Sequence, residues 1–205
     1  DIQMARKRIK RKGDSYLRDG LILLAVAVVF AVILGGVFFK TKKPIDNASE
    51  AAKLAGYENV FTGYEGIRFE SNEEYDEKLA AYNKTINDEY RTAINDMADV
   101  YDDNGACIGY AFIVKSKGYE DDITLSVGID TEGAITGIDI VSMNETAGLG
   151  ANCTDEGFKN QFKGKSEPID VDAGDVDALT GATMTTKGVA RAVNACIEFY
   201  AQMGN

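Results

Sequence analysis

From Leu21 to Phe39 the chain runs for nineteen residues without one charged or hydrogen-bonding side chain. As a helix rising ~1.5 Å per residue this stretch reaches ~28 Å, close to the hydrocarbon thickness of a bilayer, so a membrane-spanning helix is predicted over 21–39. The flanks agree: Arg6, Lys7, Arg8, Lys10, Arg11 and Lys12 stand before the run, and Lys40, Lys42, Lys43 and Pro44 close it. A cleaved signal peptide shares the basic start and apolar middle, but its apolar core is usually shorter and ends on an A-x-A-type site, where this chain has lysines. Seven positive residues precede the span, counting Arg18, and three follow it directly. The positive-inside rule then predicts a basic cytoplasmic N-terminus over 1–20 and an extracytoplasmic remainder, single-pass, as in a bacterial cell membrane.

The net charge of −11 hides a sharp division. Residues 1–43 hold ten Lys and Arg against three Asp and Glu, and the rest of the 205-residue chain holds twelve against thirty. A basic tail on an acidic bulk suits a lipid surface, whereas nucleic-acid binding would need the large part to be basic. The length allows one ordinary domain with a sizeable core plus the membrane appendage.

Residues 40–85 read as a connector of helix and loop. Ala48, Ala51, Ala52, Leu54 and Ala55 suggest a short helix entered at Asn47, and a second is expected from Glu73 to Tyr82. Between them Gly56–Gly66 is too rich in glycine to assign, and its Tyr57, Phe61 and Tyr64 are expected to make small core contacts. From Ile86 the pattern turns to period two. Ala93–Tyr101 and Cys107–Lys115 flank Asp103-Asn104-Gly105, a strong hairpin signal, and Ile123–Ile129 and Ile135–Val141 flank a second turn at Thr131–Gly133. Two helical patterns follow, Asp155–Phe162 and Val189–Met203. The expected fold over 86–205 is therefore α+β, an antiparallel sheet with helices packed on one side.

Just before the last helical pattern stands Asp177-Ala-Leu-Thr-Gly-Ala-Thr-Met-Thr-Thr-Lys187. Four hydroxyl side chains, Thr180, Thr183, Thr185 and Thr186, crowd a predicted helix start, where unpaired N–H groups and partial positive charge suit a phosphate and Lys187 can add a full charge. A nucleotide-hydrolysing loop of the form G-x-x-x-x-G-K-[ST] would need glycine at 186 and a hydroxyl at 188, and the chain has Thr186 and Gly188. An ordinary N-cap role for Thr183 or Thr185 is the competing reading. Gly181 and Ala182 leave the backbone free to approach a bulky substituent.

These residues resemble the [ST]-G-A-[ST]-x-T signature, with Asp three positions upstream, of domains that carry covalently attached FMN. The match takes in Asp177, Thr180, Gly181, Ala182, Thr183 and Thr185. In that family the last threonine is esterified to the FMN phosphate, which implies Thr185 as the attachment point. Asn144-Glu-Thr-Ala-Gly-Leu-Gly150 is similar to the E-T-P-G-L-G loop found upstream in the same family, departing from it at Ala147, where proline is common, and at Met143, where histidine is common. Lys117-Gly118-Tyr119 resembles a G-Y segment of these domains. The resemblance, over roughly residues 98–200, implies that Glu145, Thr146, Leu149, Gly150, Thr180, Gly181, Ala182 and Thr183 line the ring and phosphate of one covalent FMN per chain.

Size, basic N-terminus and motifs together resemble the G subunits of Rnf complexes, and the C subunits of sodium-pumping NADH:quinone reductases are related. The resemblance implies an electron-carrier subunit of a translocase that couples ferredoxin:NAD electron transfer to Na+ or H+ movement and is inactive alone. Polytopic and flavin- or iron–sulfur-carrying membrane subunits are the implied partners, with an FAD-dependent flavin transferase during maturation. A stand-alone extracytoplasmic FMN-dependent reductase and a non-enzymatic anchored binding or assembly module are the alternatives. The chain has no histidine, which excludes Ser-His-Asp and Cys-His catalysis, histidine metal ligands and histidyl flavin. Cys107, Cys153 and Cys196 show neither C-x-x-C nor iron–sulfur spacing, and Cys196 is expected in the core. The acidic runs near Glu73 and Asp170 read as solvated surface, and no metal site is expected.

Overall fold

The computed structural model describes residues 2–86 and 88–204. The chain divides into two compact units, residues 1–50 and 51–205. The first unit is helical and holds most of α1 (Ile2–Val60). Within it Tyr16–Lys42 holds an 18-residue stretch of mean hydropathy 3.1 and is long and apolar enough to cross a membrane, judged by length and composition. The helix runs through Pro44 rather than stopping there and restarting at Asn47. A proline removes one backbone donor, and in a helix this long, with an alanine-rich stretch after it, the remaining ladder continues.

The second unit is α+β. Its sheet has five antiparallel strands in the order of the sequence: β1 (Arg68–Ser71), β2 (Ala93–Tyr101), β3 (Cys107–Lys117), β4 (Asp122–Asp130) and β5 (Ile135–Ser142). Each of the last four lies where the period-two pattern put it. Asp102 fixes the first hairpin by accepting hydrogen bonds from the N–H groups of Asn104 and Ala106, and these donors hold its carboxyl below the usual range. β1 was not foreseen: it pairs with β2 at the sheet edge, in a region expected to be helix and loop. In β2 a bulge between Ile94 and Asp96 inserts one residue, so Ile94 and Met97 share a face although they are three apart.

One face of the sheet carries Ile94, Met97, Phe112, Val114, Leu125, Val127 and Ile138. It packs on Tyr75, Leu79 and Tyr82 of α2 (Glu74–Asn83), Phe158 of α3 (Glu156–Lys159) and Val189, Val193, Cys196 and Phe199 of α4 (Thr183–Met203). The expectation of helices on one side is corrected by the other face. There Tyr57, Val60 and Phe61, from the end of α1 and the residue after it, pack on Ala98, Val100, Ala111 and Ile113. Small residues make this possible. A side chain at Gly137 would come within 3.2 Å of the Val60 carbonyl, which belongs to the last helical turn and instead accepts a hydrogen bond from the Thr136 hydroxyl at 2.6 Å. Ser126 likewise donates to the Gly56 carbonyl at 2.8 Å. The glycine-rich stretch is thus helical to Val60 and supplies the second layer.

Candidate functional site

Three connections meet at one end of the sheet: the β3–β4 turn around Tyr119, the loop that follows β5, and the start of α4. The α4 start is built by the sequence Leu179-Thr-Gly-Ala182. The Ala182 N–H donates to the Leu179 carbonyl at 2.9 Å, and Gly181 takes φ +73°, a left-handed conformation that suits a residue without Cβ. Ala182 is the N-cap and makes no side-chain cap bond. The N-cap reading of Thr183 and Thr185 is therefore set aside. It is Thr186 that stitches the turn: its hydroxyl accepts from the Leu179 N–H at 3.0 Å and donates to the Ala182 carbonyl at 3.2 Å. First-turn N–H groups are left without a side-chain acceptor among the described residues, the condition under which a helix start receives an anion.

Thr185 is fully buried, and its hydroxyl donates to Glu145 Oε2 at 2.8 Å. The other oxygen of that carboxylate, Oε1, accepts from the N–H groups of Tyr119 at 2.9 Å and Glu120 at 3.2 Å. Glu145 therefore ties all three connections together. Thr146 donates to Glu120, and the Thr146 carbonyl accepts the N–H groups of Leu149 and Ala151, which curls the loop around Gly148 at φ +75°. From beneath, α4 presses on the β3–β4 turn: Arg191 Nη2 donates to the Lys117 carbonyl at 2.7 Å.

These connections enclose a cleft of about 410 Å³, lined by Tyr119, Glu145, Thr146, Leu149, Gly150, Gly181, Ala182, Thr183, Met184 and Thr185. That volume lies in the range of small-molecule sites. Of the residues predicted for the site, all but Thr180 are at the cleft; Thr180 is exposed outside it. Tyr119 and Met184 were not predicted. Tyr119 lies in a segment whose resemblance was visible, whereas Met184 fills the variable position of the signature and carried no signal. Tyr119, Leu149 and Met184 are 66%, 43% and 46% exposed, so they form an apolar rim open to a flat ligand. Lys187 does not reach the cleft; its ammonium pairs with Asp172 at 2.7 Å. Asp177 is exposed, and its backbone N–H donates to Gln161 at 2.6 Å.

The three cysteines are free. Cys196 is buried in the core, as expected, and Cys153 is buried with its thiol 3.7 Å from the sulfur of Met143. Burial first, and the nearby Glu145 carboxylate second, push the Cys153 thiol up to about 11.

Residues 118–198 match the family described as FMN-binding domain. Over 97 residues the chain is 38% identical to the G subunit of a proton-translocating ferredoxin:NAD(+) oxidoreductase complex from Clostridium ljungdahlii, covering 44% of this chain and 52% of that one. Over 107 residues it is 37% identical to the G subunit of the Na(+)-translocating complex of Acetobacterium woodii, covering 47% and 51%. A crystal structure of Shewanella oneidensis NqrC superposes with a TM-score of 0.45 at 28% identity, covering 53% of this chain and 60% of that one. The chain thus spans about half the length of the curated relatives it matches. The resemblance to FMN-binding domains and to Rnf G subunits is borne out by the family match and by the two curated relatives.

Proposed function

We propose that this chain is a membrane-anchored electron carrier that holds one FMN as a phosphoester on Thr185 and serves as the G-type subunit of a redox-driven ion-translocating complex. The observation that carries the reading is the position of Thr185: its hydroxyl lies at the start of α4, at the wall of a cleft that Glu145, Thr146, Leu149 and Gly150 of the second family loop also line. The chain's residues fit the group. Gly181 leaves open a space in which a side chain would meet Leu149 at 3.1 Å, and uncapped N–H groups at the start of a 21-residue helix suit a phosphodiester charge.

FMN, when bound, accepts and releases one or two electrons. The chain's share is to hold and place it. Thr183 and the first-turn N–H groups receive the phosphate, Thr146 and Gly150 border the polar part of the cleft, and Tyr119, Leu149 and Met184 offer apolar surface while leaving the site open to a redox partner. The apolar helix anchors the carrier in the bilayer with residues 1–20 in the cytoplasm and the flavin domain on the opposite side. An ester keeps the flavin from being lost by dilution there. Attachment is assigned to a flavin transferase that uses FAD, and the electron partners to polytopic and flavin- or iron–sulfur-carrying subunits of the same complex.

The intact mass of the chain extracted from its native membrane is expected to show one added FMN, localised to the peptide that contains Thr185. Thr185→Val is expected to give a folded, anchored chain with no flavin fluorescence after denaturing electrophoresis. Stoichiometric flavin surviving denaturation of that variant overturns the reading.

A further inference from the structure

Four hydroxyls crowd the start of α4, and only one of them faces an ionisable side chain among the described residues. Thr186 is occupied by the Leu179 N–H and the Ala182 carbonyl, while Thr180 and Thr183 are exposed. Thr185 alone donates to a carboxylate, Glu145 Oε2, at 2.8 Å. The chain has no histidine, and Lys187 is held by Asp172. A threonine hydroxyl is a weak nucleophile until a base takes its proton.

The carboxylate is held in a fixed pose. Two backbone N–H groups occupy Oε1 and leave Oε2 turned to the hydroxyl. Glycines flank it: a Cβ at Gly118 would run into Oε1, and one at Gly150 would lie 2.5 Å from Oε2 and 2.7 Å from the Thr185 hydroxyl. Backbone therefore closes directly onto the pair.

We propose that Glu145 is the catalytic base for attachment, taking the Thr185 proton as the phosphoester forms and thereby selecting Thr185 over its neighbouring threonines. The inference rests on the reading of Thr185 as the attachment point. In the step, Thr185 Oγ attacks the phosphorus on the riboflavin side of flavin adenine dinucleotide. The Oγ–P bond forms, the bond from that phosphorus to the bridging oxygen breaks, and AMP leaves with that oxygen. The proton passes from Oγ to Glu145 Oε2 and on to solvent, and nothing is oxidised or reduced.

The test uses the full flavin-free chain in detergent with flavin adenine dinucleotide, Mg²⁺ and a flavin transferase, following protein-bound fluorescence on denaturing gels with time. Glu145→Gln is expected to lower the initial rate by about 100-fold or more, as for loss of a general base, with little change in the KM for the chain and a wild-type circular dichroism spectrum. Added formate is expected to restore part of the rate to Glu145→Ala and none to Thr185→Val. Glu145→Gln labelling at the wild-type rate, or Glu145→Ala unmoved by formate, overturns the inference while leaving Thr185 as the attachment point. Thr185→Val labelling like the wild type overturns the attachment reading itself.

Discussion

Cys153 sits a few residues beyond the Glu145 loop, fully buried, and its surroundings set its chemistry. Burial, reinforced by the Glu145 carboxylate, moves the thiol from an ordinary 9.0 to about 11, so the fold favours the neutral form. The sign follows directly: the thiol's contribution to stability is whole below about pH 9 and is lost as pH rises through about 11. At pH 8 the folded chain is therefore expected to alkylate at exposed Cys107, while Cys153 reacts about 100-fold more slowly than in the unfolded chain. Peptide mapping after timed iodoacetamide treatment measures both; equal labelling refutes the environment described. At this scale the sequence was informative where a residue type is demanded by chemistry. Thr185, Gly181 and Glu145 could be picked out from their motifs, and the fold does bring them to one cleft. Met184 could not, because any side chain of suitable size can line a cleft from the variable position. The pairing of Glu145 with Thr185 was also hidden, since it joins positions 40 apart that only the folded chain brings together.

Among the elements, α4 does most to shape the cleft, and its seat on the sheet depends on Gly188. A Cβ there would lie 2.6 Å from the Lys117 carbonyl and 3.3 Å from the Gly118 Cα, both backbone atoms that cannot rotate away. Alanine gains about 1 kcal/mol over glycine in helix propensity, but forcing a methyl into packed backbone costs about 1–3 kcal/mol. The balance is destabilising for Gly188→Ala. We expect a Tm lowered by roughly 2–8 °C, and slower flavin incorporation as the β3–β4 turn that feeds N–H groups to Glu145 is pushed aside; an unchanged Tm would contradict the packing described. The strands were legible because alternation of apolar and polar residues is a strong signal in Ile123–Ile129 and Ile135–Val141. β1 was not, because its four residues include Arg68 and Glu70 and lie mostly exposed at the edge. Charged, short edge strands resist pairing with other chains, and the same charges erase the periodicity that would reveal them. The end of α1 was missed for a different reason: Gly56 reads as a breaker, yet it is helical here, and its lack of a side chain lets the helix lie against Ser126 and Val141.

For the molecule as a whole, the second compact unit begins at residue 51, well before the period-two region. Tyr57, Val60 and Phe61 cover one face of the sheet, with Phe61 among the largest fully buried side chains. A chain starting at residue 51 is expected to melt cooperatively, whereas one starting at residue 62 loses that layer. Removing one buried aromatic alone costs about 3–5 kcal/mol, comparable with much of a domain's stability. The second truncation is expected to be unfolded or molten by near-ultraviolet circular dichroism, and a native-like spectrum from it would show that the layer is dispensable. The α+β class was readable because strands and helices occur in separate runs; the two-sided cover was not, because nothing local announces which face a helix end will choose.

The contact between Glu145 and Thr185 also has a consequence in time. The threonine belongs to the final element of the described chain, and its carboxylate partner lies in a loop synthesised earlier. While a nascent polypeptide is still leaving the ribosome, the two cannot meet, because the helix that carries one of them has not yet docked. An enzyme that reads the pair therefore needs a finished, folded molecule, and translation halted before residue 185 leaves it nothing to recognise.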